Sequence, residues 1–164
     1  MLGRANNIAS NQPGLTRFLT GQGCGSFGAN ATDGLGSLNG CVSNGNTWAE
    51  ITSAWSEGGS YTLGTIGSHG LFNPNLLFGG MVQFDYADDP NNNASGRGWM
   101  AGPYFVAKTP DQPLYFEGRL LYGRTNNEIS PLGTYTDSFV TERWLTQLRA
   151  TGKNTVQNII LMPL

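Results

Sequence analysis

His69 is the single histidine of the chain, so any acid–base relay would have to run through it, with a serine as nucleophile. Its neighbours Gly67, Ser68 and Gly70 put it in, or at the end of, a strand weakened by glycine. No carboxylate is placed there to orient the imidazole, so the sequence favours a histidine of an interior or an interface over a general base. Gly23-Cys24-Gly25-Ser26-Phe27-Gly28 matches G-x-G-x-x-G letter for letter. That motif holds a pyrophosphate only when a strand precedes it and a helix N-terminus follows. Here a short helix precedes and an Asn/Gly-rich loop follows, which argues against nucleotide binding. Cys24 and Cys41 are the two cysteines. With no histidine beside them and no C-x-x-C pair, a metal site is not expected. A disulfide that closes their flexible segment is, and it would imply an oxidising compartment; the alternative is two free thiols in a disordered loop. No catalytic residue, metal or cofactor follows from these groups.

The other reactive groups are charges, and their spacing has a period of two. In Leu-Tyr-Phe-Glu-Gly-Arg-Leu-Leu-Tyr (114–122), Leu114, Phe116, Leu120 and Tyr122 fall on one face of a strand, and Glu117 and Arg119 on the other. The same split assigns Gln83, Asp85, Arg143, Gln147 and Arg149 to polar faces. It assigns Phe78, Val82, Phe84, Tyr104, Trp144 and Leu148 to apolar ones. A soluble strand points its apolar face into a core and its polar face into water. An outer-membrane strand points the apolar face into lipid and the polar face into a lumen, with aromatics at both interfaces. Ionised groups in a barrel wall are tolerated only where water or a partner charge meets them. Alternation alone does not choose between the two.

The elements that would carry these side chains read as an all-β, antiparallel, up-and-down meander of about six strands behind a short N-terminal helix. Residues 1–46 read as a linker. Pro13 stands at the first position of a helix whose apolar face is Leu15, Phe18 and Leu19 and which stops at Gly21; residues 21–46 form a Gly-, Asn- and Ser-rich loop. Strands are expected at 47–56, 61–72, 77–87, 98–108, 114–124 and 139–152. Pro103 removes a donor from its strand, for which a bulge is the expected remedy. Short turns (73–75, 109–113) alternate with longer polar loops (88–95, 125–137), an asymmetry of membrane barrels. Charges are sparse on the apolar faces; Glu142 is an exception and is expected near an interface, where its cost is small. Residues 154–164 do not continue the alternation.

Glycine contributes 24 of 164 residues and charged residues only 12%, which favours a turn-rich β chain. With a net charge of −2 and no basic stripe, nucleic acid is not an expected partner. No apolar run is long enough for a transmembrane helix, which leaves a membrane barrel open. Met1-Leu2-Gly3-Arg4 lacks the apolar stretch of an export signal. The chain therefore reads either as a protein that stays inside or, preferably, as an internal piece of a longer exported one.

Met-Val-Gln-Phe-Asp-Tyr-Ala-Asp-Asp (81–89), Gly-Trp-Met-Ala-Gly-Pro-Tyr (98–104), 113–123 and Thr-Asp-Ser-Phe-Val-Thr-Glu-Arg-Trp-Leu (136–145) resemble the translocator β-domain of autotransporters, the type V secretion proteins of Gram-negative bacteria. Gln-Pro-Gly-Leu-Thr-Arg-Phe-Leu (12–19) and Thr-Trp-Ala-Glu (47–50) are similar as well. The resemblance implies an outer-membrane barrel of about twelve strands. An N-terminal helical segment would thread its lumen and a passenger domain would lie outside. The implied partners are outer-membrane lipid, the barrel-assembly machinery and the chain's own passenger domain. Six strands fall below the minimum of about eight for a closed membrane barrel. Residues 47–153 therefore read as a truncated, partial transmembrane β-barrel, and 154–164 as an atypical tail. Open strand edges would allow self-association. Asn6-Asn7 invites comparison with members that cut themselves at an Asn-Asn bond, but the flanks differ and an ordinary polar linker is the reading. One rival is a soluble β-sandwich binding module, stacking glycans on Trp48, Trp55, Trp99 and Tyr104. Another is a small hydrolase using His69.

Overall fold

A computed structural model describes residues 2–152 and 156–161. Two helical pieces, α1 (Leu2–Ser10) and α2 (Thr16–Leu19), precede nine strands. These are β1 (Gly25–Thr32), β2 (Leu35–Asn44), β3 (Thr47–Ser56), β4 (Gly59–Asn73) and β5 (Leu76–Asp89), then β6 (Ala94–Lys108), β7 (Leu114–Ile129), β8 (Asp137–Gly152) and β9 (Val156–Leu161). All pair antiparallel with their sequence neighbours in one open sheet, ordered β1 to β9. The chain is an up-and-down all-β meander with a short N-terminal helical segment.

The six expected strands are β3 to β8, and three expectations about their surroundings need correction. Residues 25–32 and 35–44 are strands, not loop, so the sheet begins well before residue 47. Their hairpin turns at Asp33-Gly34, both with positive φ (50° and 82°), the conformation a tight two-residue hairpin demands. Residues 156–161 pair with β8 along Thr146–Thr151 and so extend the meander; residues 154, 155 and 162–164 of the expected tail lie outside the described residues. The polar stretches at 88–95 and 125–137 are in part strand ends, leaving shorter connections of 90–93 and 130–136. At the same end of the sheet, 33–34 and 57–58 are as short as any turn at the other. The alternation of loop lengths is therefore weaker than the sequence implies.

Two local expectations also change. Pro103 needs no bulge. The ladder of β6 with β7 runs Ala101↔Tyr122 and then Tyr104↔Arg119, the same register on both sides of the proline, and the ring sits exposed on the outer face. The irregularity of the sheet lies instead between Leu71 and Asn73 of β4. Pro13 does not begin a helix. It follows α1, and a break separates it from the single turn of α2, since proline has no N–H and its ring clashes with the preceding turn.

Register decides which face each residue takes, because directly paired residues share a side of the sheet. Phe84 is 55%, Phe116 41% and Leu120 45% exposed, whereas Gln83 is fully buried. Val82, Phe78, Trp144 and Leu148 are exposed with them, and Leu114 and Tyr122, half-buried, share their alternation. Asp85, Glu117, Arg119 and Gln147 are buried on the opposite face, joined by half-buried Arg143 and Arg149. Tyr104 is the exception to the expected assignment: it is buried, 1% exposed. It pairs with Arg119, and on its own strand it alternates with Met100, which pairs with Gln83. Both partners point inward, so Tyr104 must too. Trp99 and Phe105 take the outer face of β6 instead.

Cys24 and Cys41 are disulfide-bonded, Cα–Cα 5.6 Å, tying the approach to β1 onto β2. Ser43 reinforces the tie through both its backbone and its hydroxyl, with Ser43 N–H donating to Cys24 O at 3.0 Å and Cys24 N–H donating to Ser43 Oγ at 2.8 Å. Closing a loop of this length restricts the unfolded chain by about 3 kcal/mol. Cys24→Ser/Cys41→Ser should lower the unfolding free energy by about that amount, read from urea titrations against the oxidised parent. A loss equal to that of mild reductant on the parent is the expected check.

Candidate functional site

Side chains from five strands converge on the N-terminal segment, so the sheet curls around residues 4–18. From β3, Trp48 stacks on Phe18 at 5.0 Å between ring centroids and Glu50 pairs with Arg17. From β4, His69 lies against Phe18. From β5 come Gln83 and Asp85, from β7 Glu117, Arg119 and Asn127, and from β8 Gln147, whose amide reaches Ala9 O at 3.5 Å. Apolar packing accompanies them: Ile8, Ala9, Leu15 and Phe18 join Tyr61, Leu63, Leu77, Met81, Met100 and Leu121 in one buried cluster.

The break at Pro13 leaves main-chain groups that no helix satisfies, and the wall satisfies them. Glu117 Oε2 accepts the N–H of Leu15 (2.9 Å) and of Thr16 (3.2 Å). Arg119 Nη2 donates to Pro13 O at 2.8 Å and Nη1 to Gln12 Oε1 at 3.0 Å. Gln12 and Gln83 exchange amide hydrogen bonds at 2.8 and 3.1 Å. The other oxygen of Glu117 takes Arg119 at 3.0 Å and Arg149 at 3.1 Å. A buried carboxylate is costly unless paired and hydrogen-bonded; this one is both.

A second cluster fixes α1. Arg4 donates to Asp85 Oδ2 through Nε (2.8 Å) and Nη2 (2.5 Å), and through Nη1 to Asn127 Oδ1 (3.0 Å). Arg143 pairs with the other oxygen of Asp85. A cavity of about 660 Å³ opens beside it, lined in part by Arg4, Asn7, Tyr61, Asp88 and Asn127. At the opposite end Trp48 Nε1 donates to Tyr104 Oη (2.9 Å), and His69 Nδ1 lies 3.1 Å from the same oxygen.

Every residue expected on polar faces thus faces the N-terminal segment. Sequence reasoning did not find Gln12 and Pro13, whose partnership with Arg119 depends on contacts between distant parts of the chain. Trp48 and Tyr104, expected on a stacking surface, close the interior instead, and Trp55 and Trp99 lie on the outer face. The four aromatics therefore form no shared stacking platform. His69 has a phenol and a phenyl ring beside it and no carboxylate partner among the described residues. Among the same residues no group of His, Cys, Asp and Glu could hold a metal ion, and no helix is long and apolar enough to cross a membrane. No protein-family model matches the chain, and the searches of curated proteins and of solved structures return no match.

Proposed function

We propose that this chain forms wall and plug of an outer-membrane β-barrel translocator of the autotransporter kind, a membrane anchor and conduit for a passenger domain, with no catalytic activity of its own. The carrying observation is the inverted amphipathy of the sheet. One set of large apolar side chains of β3 to β8, among them Phe78, Phe84, Phe116, Leu120 and Trp144, points outward and is uncovered, while buried charged and amide side chains are turned in, beside an apolar cluster, upon a threaded segment. In water that arrangement exposes hydrocarbon and desolvates charge. In lipid the outer face meets acyl chains instead, and the inner charges keep the partners they already have in the threaded segment and the wall. Chain direction supports the reading. Arg4 lies at the end of the sheet carrying the 90–93 and 130–136 connections, and Phe18 at the opposite end, so the segment runs the length of the interior before β1 begins. An open sheet edge is not tolerated in hydrocarbon, so β1 and β9 would be paired in the membrane by each other or by further strands. The outer membrane and its barrel-assembly machinery would be the surroundings, and the Cys24–Cys41 disulfide suits an oxidising compartment.

Tryptophan depth tests this. Trp55, Trp99 and Trp144 are exposed on the outer face and Trp48 is buried inside. In vesicles of brominated lipid, variants retaining one tryptophan each should be quenched at 99 and 144, less at 55 near a hairpin end, and not at 48. Equal quenching by an aqueous quencher at 99 and 144, with none by lipid, would defeat the membrane reading.

A further inference from the structure

The outer face has a sharp charge boundary. Across β5 to β8 its rows run Leu76, Ala107, Phe116, Ala150; then Phe78, Phe105, Gly118, Leu148; then Gly80, Pro103, Leu120, Thr146; then Val82, Ala101, Tyr122, Trp144, without an ionisable acid or base stronger than a phenol. The next row brings Phe84, Trp99, Arg124 and Glu142, and the one after it Tyr86, Arg97, Asn126 and Val140. From Phe116 to Arg124 the strand advances eight residues, roughly 26 Å along its length and about 20 Å in height at the usual tilt. That is close to the apolar height of an outer-membrane barrel, so the arginines stand at its rim, on the side of the 90–93 and 130–136 connections.

Arg97 is exposed and has no hydrogen-bond or ion-pair partner among the described residues. Arg124 is exposed and engages two neighbours, Glu142 through Nη2 to Oε1 at 3.1 Å and the Tyr122 side chain one row deeper. The register sets the two arginines as diagonal neighbours on adjacent strands, Arg97 opposite Asn126 and Arg124 opposite Trp99. Their guanidinium groups can therefore close on one anion. Tyr86 stands directly across from Arg97, and Tyr122 and Trp144, with ring centroids 4.6 Å apart, lie one row deeper. A fork of N–H donors above an aromatic ledge and an apolar wall matches an amphiphile with a phosphate head and acyl tails.

We propose that Arg97 and Arg124 form a binding site for the phosphate headgroup of a membrane lipid whose acyl chains lie along Tyr122, Trp144 and Leu120. The inference rests on the membrane reading above. Glu142 occupies part of Arg124 and limits the site, so its removal strengthens it.

The test uses the full chain in mixed micelles, with phosphatidic acid as probe and phosphatidylcholine as reference, and bound lipid counted by native mass spectrometry. The parent should retain phosphatidic acid preferentially. R97Q/R124Q should lose that preference by about tenfold, the scale of one charge-assisted contact, and E142Q should raise it. An excess of inorganic phosphate should not displace the lipid. Equal retention by parent and R97Q/R124Q overturns the site, and displacement by inorganic phosphate overturns its assignment to a lipid. Lipid quenching of Trp99 and Trp144, measured on the same samples, separates the failures. Quenching without phosphate preference removes this site and leaves the membrane reading standing, whereas no quenching removes both.

Discussion

Glu117→Ala will destabilise the folded, detergent-held chain by about 3–5 kcal/mol, the usual cost of breaking a buried ion pair from one side. It will also expose the Arg17–Phe18 bond to trypsin. The reasoning starts at Pro13, which ends α1 and leaves the Leu15 and Thr16 amides without helical acceptors. Glu117 is their acceptor, and it is also the counter-charge of fully buried Arg119. Alanine removes both roles at once, stranding the buried N–H of Leu15, the half-buried N–H of Thr16 and the Arg119 guanidinium charge. Glu117→Gln keeps an oxygen for the amides but not the charge, so the segment should stay seated while stability still falls. Glu128→Ala is the control: Glu128 is exposed at the far end of the same strand, and its loss should stay within about 0.5 kcal/mol. Urea unfolding followed by tryptophan emission reads the stability, and limited trypsin digestion reads the seat. If Glu117→Ala and Glu128→Ala behave alike, the wall does not hold the segment through its main chain.

What was legible in the sequence was the alternation, and its limits are instructive. The third strand is readable to its bounds at Thr47 and Ser56, because Ile51 and Trp55 mark one face, Trp48, Glu50 and Thr52 the other, and glycines stand just outside both ends. The ends of β5, β6 and β7 read as loop because polar residues such as Asp88, Ser95 and Asn126 stand on both faces there. Beyond an apolar band the contrast between faces disappears, although the ladder continues. β1 and β2 read as loop for a related reason: glycine, serine and asparagine carry too little side chain to mark a face, and Asp33-Gly34 is the local hairpin signal that marks them. Tyr104 shows the deeper limit. Period two sorts residues into two faces but does not say which face is inside, and only pairing with Arg119 settles it. The small residues beneath the large ones are part of the same logic. A side chain at Gly79 would collide with the Tyr104 ring, and one at Gly67 with the Trp48 indole, so each glycine makes room for an inward aromatic on the neighbouring strand. The seat at Pro13 was the least legible feature, since it joins residues more than a hundred positions apart in the chain.

Asp85→Ala should release α1 from the wall and cost about as much as Glu117→Ala, through a different failure. Asp85 is a buried carboxylate between two arginines, Arg4 from the threaded segment and Arg143 from β8. Without it two guanidinium groups face each other in a poorly solvated interior, where the repulsion is far less screened than in water. Arg4 then has reason to leave, because it alone sits on a separable element. The expected result is rapid trypsin cleavage after Arg4 with the Arg17–Phe18 bond still protected, since the Glu117 seat is intact. A double-mutant cycle of Arg4→Ala with Asp85→Ala should give a coupling of about 1–3 kcal/mol. The same cycle on exposed Arg124 and Glu142 should give about 0–1 kcal/mol, although that pair too is at hydrogen-bonding distance, 3.1 Å. Burial, not distance, separates the two. Gly96 offers an independent route to the same end. A Cβ there would fall 2.0 Å from Arg4 Nη1, so Gly96→Ala should displace Arg4 while leaving Asp85 paired with Arg143. It should therefore open the Arg4 cleavage site at a smaller loss of stability than Asp85→Ala. Cleavage after Arg4 in neither variant would mean that α1 is held by its apolar contacts at Ile8 and Ala9, and that the charged cluster only fills the space behind it.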